Sequence, residues 1–533
     1  MASRVLCVLV GGLIAYSALR SGGYYARDFL LVGVAAFVAS GIGLVLVGGR
    51  WSPSPWATLA LASLFGLTAW TGLSAAWSPD PAAADVAMQR CLAYAAAFLL
   101  CALAVGNGRS AALLLRLVVG VLVGVCVVAL VSRLRPELIE TDPTLLAFSQ
   151  GRLAYPLGYW NAMGAVAAMA IIGCLGLAAD AREHLVLRAL YAAGGTLATC
   201  TLYLTISRGA GLALVFALAV VLALSPRRLR LAISGAAMLG AGAVGVLVLR
   251  SHPVLVDRPA TIAQQSDEGA AVLVALVVIA TCAAGVQIAL GRVRALNRER
   301  SATSFRRRSA PPVAVYGVPA VVVALLFAGV YATSSDTVEG QAANGTLNLR
   351  SFVDRQYDAF MDTAKPPPVG QERLTSARSS RSEAYRVAID ALQANPLAGD
   401  GAGGYPVRWA REREVGENFR NAHSLELETA SELGLVGLLL LGGLLVPLGA
   451  GLQRIRKAGG GLTRSQAAAA GGVVMVWMVH SALDWDWQMG AVTLPALACG
   501  AVLLAQGQRS ARSGAGMFAR LRTAGSTGNR PYA

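Results

Sequence analysis

Apolar runs of about 18 or more residues recur from end to end of this chain, and nothing else in it constrains the fold as strongly. A run of that length spans a bilayer only as a helix, because every backbone N–H and C=O must then find its partner inside the segment. Barrel strands would instead show short stretches of alternating polarity, and the sequence has none. The residues are 56% hydrophobic and 14% charged, where a soluble protein carries about a quarter charged residues. The fold class expected is therefore an all-α polytopic integral membrane protein.

The runs place about 14 transmembrane helices near 5–19, 29–49, 56–77, 91–106, 111–131, 161–179, 187–206, 209–225, 231–249, 270–291, 312–333, 433–452, 467–487 and 489–506. The domains follow: helices 1 to 11 over 1–333, a loop domain over 334–432, helices 12 to 14 over 433–506, and a basic tail over 507–533. The first run has signal-peptide proportions but no clear small-residue cleavage site after it, so it counts as a span.

A net charge of +16 would suit nucleic acid, but the cations sit in short loops between apolar runs, which is where topology signals sit. No nucleic-acid partner is expected. Nearly all of these cations are arginine, with Lys365 and Lys457 the two lysines, a bias that fits a GC-rich genome. Arg227, Arg228 and Arg230, the run from Arg292 to Arg308, the cluster from Arg454 to Arg464 and the tail from Arg509 to Arg522 all fall on one side. Arginine-rich short loops stay in the cytoplasm, so both termini are expected there and the loop 334–432 outside. A loop that long is usually functional, and this one reads as a cap of short helices over the membrane mouth.

Eight cysteines lie in apolar runs and none in the large loop, which fits neither a disulfide framework nor a metal site. Four outer features carry polar chemistry. Ser207-Arg208-Gly209-Ala210 puts an arginine at a helix N-terminus, where its charge adds to the helix dipole and its fork fits a phosphate. An arginine that merely marks the interface is the bland alternative. In the loop, Arg381, Tyr385, Ala388 and Leu392 share one helical face, which the sequence expects to point inward, while Arg386 pairs with Glu383 or Asp390. That helix stops at Asn395-Pro396, and Gly399 to Gly404 reads as a flexible turn.

His423, in Asn421-Ala422-His423-Ser424, sits just before a helix that feeds the twelfth span, and imidazole is the side chain best suited to take a proton near neutral pH. A lone histidine is more often structural, and Glu426 is a nearby carboxylate. Finally His480 and Asp484 are four apart in His480-Ser481-Ala482-Leu483-Asp484-Trp485-Asp486-Trp487, close enough on a helix face to hydrogen-bond beside an acceptor groove. Packing at a helix end is the alternative there.

Taken in order, these segments resemble the O-antigen ligase and polymerase family of bacterial membrane glycosyltransferases. The matching pieces are Tyr155 to Ala162, Ser207-Arg208-Gly209, the helix from Arg381, Asn395 to Gly401, Ala422 to Gly437, and His480 to Trp487, together covering roughly residues 150 to 500. The resemblance implies metal-independent transfer of a glycan from an undecaprenyl-diphosphate-linked donor to a hydroxyl on a glycan or lipid acceptor, with no cofactor. It implies that Arg208 and Arg381 bind the diphosphate, and that His423 acts as base or aligns the acceptor. Tyr385, His480 and Asp484 join them as expected substrate-binding residues. Two departures stand out: family members often have a histidine where this chain has Asn421, and they commonly have about 12 spans. The competing class is a transporter, such as a flippase of lipid-linked glycans, although no internal repeat of the kind transporters show is evident.

Overall fold

A computed structural model describes residues 2–47, 51–139, 141–256, 262–302, 356–362, 379, 381–457 and 462–505. The expected span 312–333, much of the front half of the loop and the basic tail lie outside the described residues. Every regular element among the described residues is helical. In chain order they are α1 (Ala2–Leu19), α2 (Ala26–Val47), α3 (Pro55–Leu73), α4 (Pro81–Ala104), α5 (Gly108–Leu134), α6 (Pro143–Ser149), α7 (Trp160–Ala178), α8 (Leu185–Thr205) and α9 (Arg208–Leu224). They continue with α10 (Arg228–Arg250), α11 (Pro253–Val256), α12 (Ile262–Ala302), α13 (Arg381–Ala394), α14 (Tyr405–Glu412), α15 (Leu425–Leu452), α16 (Arg454–Lys457), α17 (Arg464–Ser481) and α18 (Gly490–Ala505).

Ten of the described helices are long and apolar enough to cross a membrane. The expected spans at α9, α17 and α18 fall outside that group. α9 has 17 residues, a rise of about 26 Å against a hydrocarbon core of about 30 Å. α17 opens on Arg464-Ser465-Gln466 and ends at Ser481, so the expected run 467–487 is not one helix. Its last residues form a bend and a 3₁₀ turn, Asp486–Gln488.

α7 is the centre of the bundle. Its Ala- and Gly-rich sequence lets α8, α5, α9 and α17 approach it closely, and it is buried along nearly its whole length. α4 packs between α2 and α3, and α3 packs against α15.

The loop segment is tied down rather than loose. α13 and α14 share a small core of Ala384, Val387, Ala388, Tyr405, Trp409 and Ala422. The buried face of α13 therefore centres on Ala384, Val387, Ala388 and Ala391, with Arg381 and Tyr385 half-buried at its flank. The stretch Gly399 to Gly404 is not the flexible turn expected from its glycines. Its backbone crosses that of α15 directly: the Asp400 N–H donates to Ser431 O at 2.9 Å, and the Gly401 N–H to Glu432 O at 2.8 Å. α15 breaks at the crossing, where Gly434 takes φ 62° and ψ −159°. The Leu435 N–H turns outward to Pro396 O at 2.8 Å, and the freed Leu433 carbonyl accepts Trp70 Nε1–H at 3.0 Å.

Candidate functional site

Five chain segments meet at one end of the bundle. They are the start of α7, the turn between α8 and α9, the start of α13, the start of α15, and the loop after α17. Asp484, 1% exposed, is the hub for all of them but the turn between α8 and α9, which lies against α7 and His480. Its carboxylate accepts Arg381 Nη2–H at 2.7 Å, Asn161 Nδ2–H at 2.6 Å and the Tyr159 hydroxyl at 3.0 Å, and it faces His423 Nδ1 at 3.1 Å. The Trp485 N–H adds a further donor at 3.0 Å. A buried carboxylate survives only when paired and hydrogen-bonded, and this one is surrounded by donors. Burial alone would push Asp484 up, but the Arg381 guanidinium and then His423 hold its carboxyl well below the usual range.

Arg381 also donates Nη1–H to Leu483 O at 2.5 Å, so α13 is anchored to the loop after α17 through charge and backbone together. Two of its five N–H donors are thereby engaged, and its side chain stays 22% exposed. Arg386, on the same helix, pairs with both Glu383 at 2.6 Å and Asp390 at 3.0 Å, the local role its spacing implied.

His423 occupies a left-handed backbone position, φ 54°. The turn carrying it is held by Glu428, which accepts the Ala422 N–H at 3.1 Å, Asn421 Nδ2–H at 3.2 Å and Gln488 Nε2–H at 2.6 Å. Asn421, standing where a second histidine is common, is thus bound to Glu428. The Tyr385 hydroxyl reaches His423 O at 3.4 Å, and Phe419 packs edge-on against the imidazole at 4.8 Å. With Nδ1 facing Asp484, Nε2 remains for another group. Burial first, then the positive charge of Arg381, hold His423 below the ordinary histidine value, outweighing the hydrogen bond to Asp484. The ring is therefore neutral at neutral pH.

Ile206, at φ 51°, ends α8 and swings the chain into Ser207, whose Oγ accepts the Ala210 N–H at 3.3 Å. Arg208 is the first residue of α9 and is half-buried. His480 lies beside it, since a Cβ placed on Gly209 would stand 3.5 Å from the His480 ring. The expected pairing of His480 with Asp484 does not form. α17 ends at Ser481, so the i,i+4 relation lapses, and His480 Nδ1 pairs with Asp486 Oδ2 at 2.6 Å instead.

Tyr159 and Asn161 are the residues that reading the sequence missed as part of the site. Their signal was present in the Tyr155 to Ala162 motif, yet nothing local revealed that they face a carboxylate 323 or more positions away. Glu428 was missed for the same reason. Among the described residues, no group of three His, Cys, Asp or Glu side chains is placed to hold a metal ion.

An apolar helical bundle with a charged, hydrogen-bonded site gathered at one end of its helices defines a multi-pass membrane protein with a polar mouth. A family model described as O-antigen ligase matches residues 193–442. The match agrees with the order of the motifs, and it includes Arg208, Arg381, Tyr385 and His423. Asp484, Tyr159 and Asn161 lie outside it and reach the site through the fold. No curated protein matches the chain.

Proposed function

We propose that this protein is a membrane glycosyltransferase that moves a glycan from a polyprenyl-diphosphate carrier to an acceptor hydroxyl at the extracytoplasmic face, by ligation or polymerisation. The observation that carries the reading is the gathering of Arg381 and His423, both in the stretch that the O-antigen ligase model matches, on one buried carboxylate, Asp484. The acceptor oxygen attacks the anomeric carbon while the bond from that carbon to the diphosphate oxygen breaks. The hydroxyl proton passes to His423 Nε2, and the lipid diphosphate leaves as an anion. Arg208 and the N–H groups of Arg381 not held by Asp484 and Leu483 stabilise that charge, and guanidinium does so without a metal. Asp484 is a positioning residue: its partners leave it no open side for substrate, and it fixes both Arg381 and His423. The lipid tail of the donor accounts for the bilayer setting.

The decisive measurement is release of undecaprenyl diphosphate from a radiolabelled lipid-linked glycan by purified protein in proteoliposomes. An enzyme releases it, whereas a flippase moves the label across the bilayer intact. Arg208→Lys and Arg381→Lys should each lower turnover by about tenfold or more, because lysine keeps the charge but loses the two-pronged grip on phosphate and, at 381, on Asp484 and Leu483. Near-normal turnover in both lysine variants would leave the arginines as ordinary surface and packing residues.

A further inference from the structure

His480 has a nitrogen that the reaction above does not use. Its imidazole is fully enclosed at 0% exposure, and Nδ1 is committed to Asp486. Nε2 is buried as well and, among the described residues, has no hydrogen-bond partner. A buried ring nitrogen left in this condition is uncommon and calls for an explanation, of which a missing ligand is one.

The direction in which Nε2 points supplies the ligand chemistry. It faces the first turn of α9, where a Cβ on Gly209 would stand 3.5 Å from both Nε2 and Cδ2. α9 is a 17-residue helix, and its N-terminus presents backbone N–H groups and the positive end of the helix dipole. Arg208 precedes Gly209 directly. A helix N-terminus, an arginine and an orphaned imidazole nitrogen together recognise a phosphate oxygen. The absence of a side chain on Gly209 leaves the space between ring and helix open by about one methyl group.

We propose that His480 Nε2 is a further donor to the diphosphate of the lipid-linked substrate, binding a phosphate oxygen at the N-terminus of α9. The inference rests on the assignment of Arg208 as a diphosphate ligand. In the bound state the ring carries both protons: Nδ1–H donates to Asp486 and Nε2–H to the phosphate oxygen. Asp486 thus selects the orientation that turns Nε2 toward α9, as a second carboxylate does for a metal-bound histidine. His480 is a binding residue in this scheme, and proton transfer from the acceptor remains with His423.

Two variants of the full-length protein test it, with undecaprenyl diphosphate as the binding probe. His480→Asn keeps an amide where Nδ1 meets Asp486 but places nothing at the Nε2 position. Gly209→Ala inserts a methyl between ring and helix at an ordinary contact distance, and alanine is the better helix former, so the fold is not at risk. Each should weaken binding of undecaprenyl diphosphate by about tenfold and raise the donor KM to match, with the thermal midpoint nearly unchanged. Unchanged affinity in both variants overturns the proposal. Arg208→Ala separates the two levels: if it weakens binding while the other two do not, the His480 assignment alone falls. If it too leaves affinity intact, the diphosphate assignment of Arg208 falls with it.

Discussion

At His423 the backbone adopts φ 54°, a left-handed conformation that costs a non-glycine residue of the order of 1–3 kcal/mol. The Glu428 hydrogen bonds to Asn421 and Ala422 and the Asp484 contact hold it there. The outcome is a neutral imidazole with one nitrogen fixed and one turned elsewhere, the state a general base requires. His423→Ala should lower turnover by about 10²–10⁴-fold while donor affinity stays nearly constant, because a positioned base acts on the transfer step. Glutamine at 423 can hydrogen-bond but cannot take a proton at neutral pH, so rescue by His423→Gln would reduce the histidine to orienting the acceptor. The same neutrality sets the pH profile. Since the His423 value lies below the ordinary one, transfer should fall on acidification only below about pH 6.5 and hold steady above it. Asp484→Asn should move that acid limb to lower pH. It removes the carboxylate that raises the His423 value and leaves the Arg381 charge that lowers it. A limb that moves toward higher pH, or does not move, would show that the titrating group is not His423.

Among the elements, the break in α15 does most to position the site. Gly434 sits at a φ and ψ combination that side chains do not adopt, and a Cβ there would lie 2.4 Å from the Leu397 carbonyl. Gly434→Ala should therefore destabilise the fold by about 1–3 kcal/mol, visible as a lower thermal midpoint in detergent. Gly442→Ala is the control: it lies in the same helix with nothing among the described residues within 4 Å of its Cβ position, and it should not lower the midpoint. Equal midpoints for the two variants would mean the crossing is not rigid. The sequence announced the start of α13 at Arg381, its stop near Asn395 and the local role of Arg386, all of which depend on neighbours within one or two turns. It turned Arg381 and Ala388 inward, as they are, but not the centre of the buried face, which Tyr405 and Trp409, more than ten residues on, draw to Ala384 and Val387. It read the Gly399 to Gly404 stretch as loose because glycine allows both looseness and close backbone crossing, and only α15 selects between them. The His480–Asp484 pairing failed on a boundary: once α17 ends at Ser481, helical spacing no longer applies.

At the scale of the whole molecule, the ends of the helices sort the charges. α9 runs from Arg208 at the site to Arg227, Arg228 and Arg230 beyond its far end, and α15 runs from His423 to Arg454, Arg456 and Lys457. α12 runs on into the basic stretch that begins at Arg292, and α16 packs against α9. The arginine-rich short loops and the candidate site thus occupy opposite ends of the bundle, a relation that hydropathy suggested and the helix directions supply independently. Because arginine-rich short loops are retained in the cytoplasm, the site is expected to open outward. Glu414 and Lys457, both exposed, sample the two ends. In intact cells with a permeable envelope, a cysteine at Glu414 should react with a membrane-impermeant maleimide, and a cysteine at Lys457 should react only after the membrane is opened. The reverse pattern would turn the molecule over and put His423, Arg381 and Asp484 in the cytoplasm. Transfer at the outer face would then be excluded, however well the residues are arranged. Labelling of both positions in intact cells would indicate a leaky preparation, which an intrinsically cytoplasmic marker protein reports in the same experiment. With the marker silent and Glu414 alone labelled, the site faces outward, as the proposed transfer from a lipid carrier to an acceptor at that face requires.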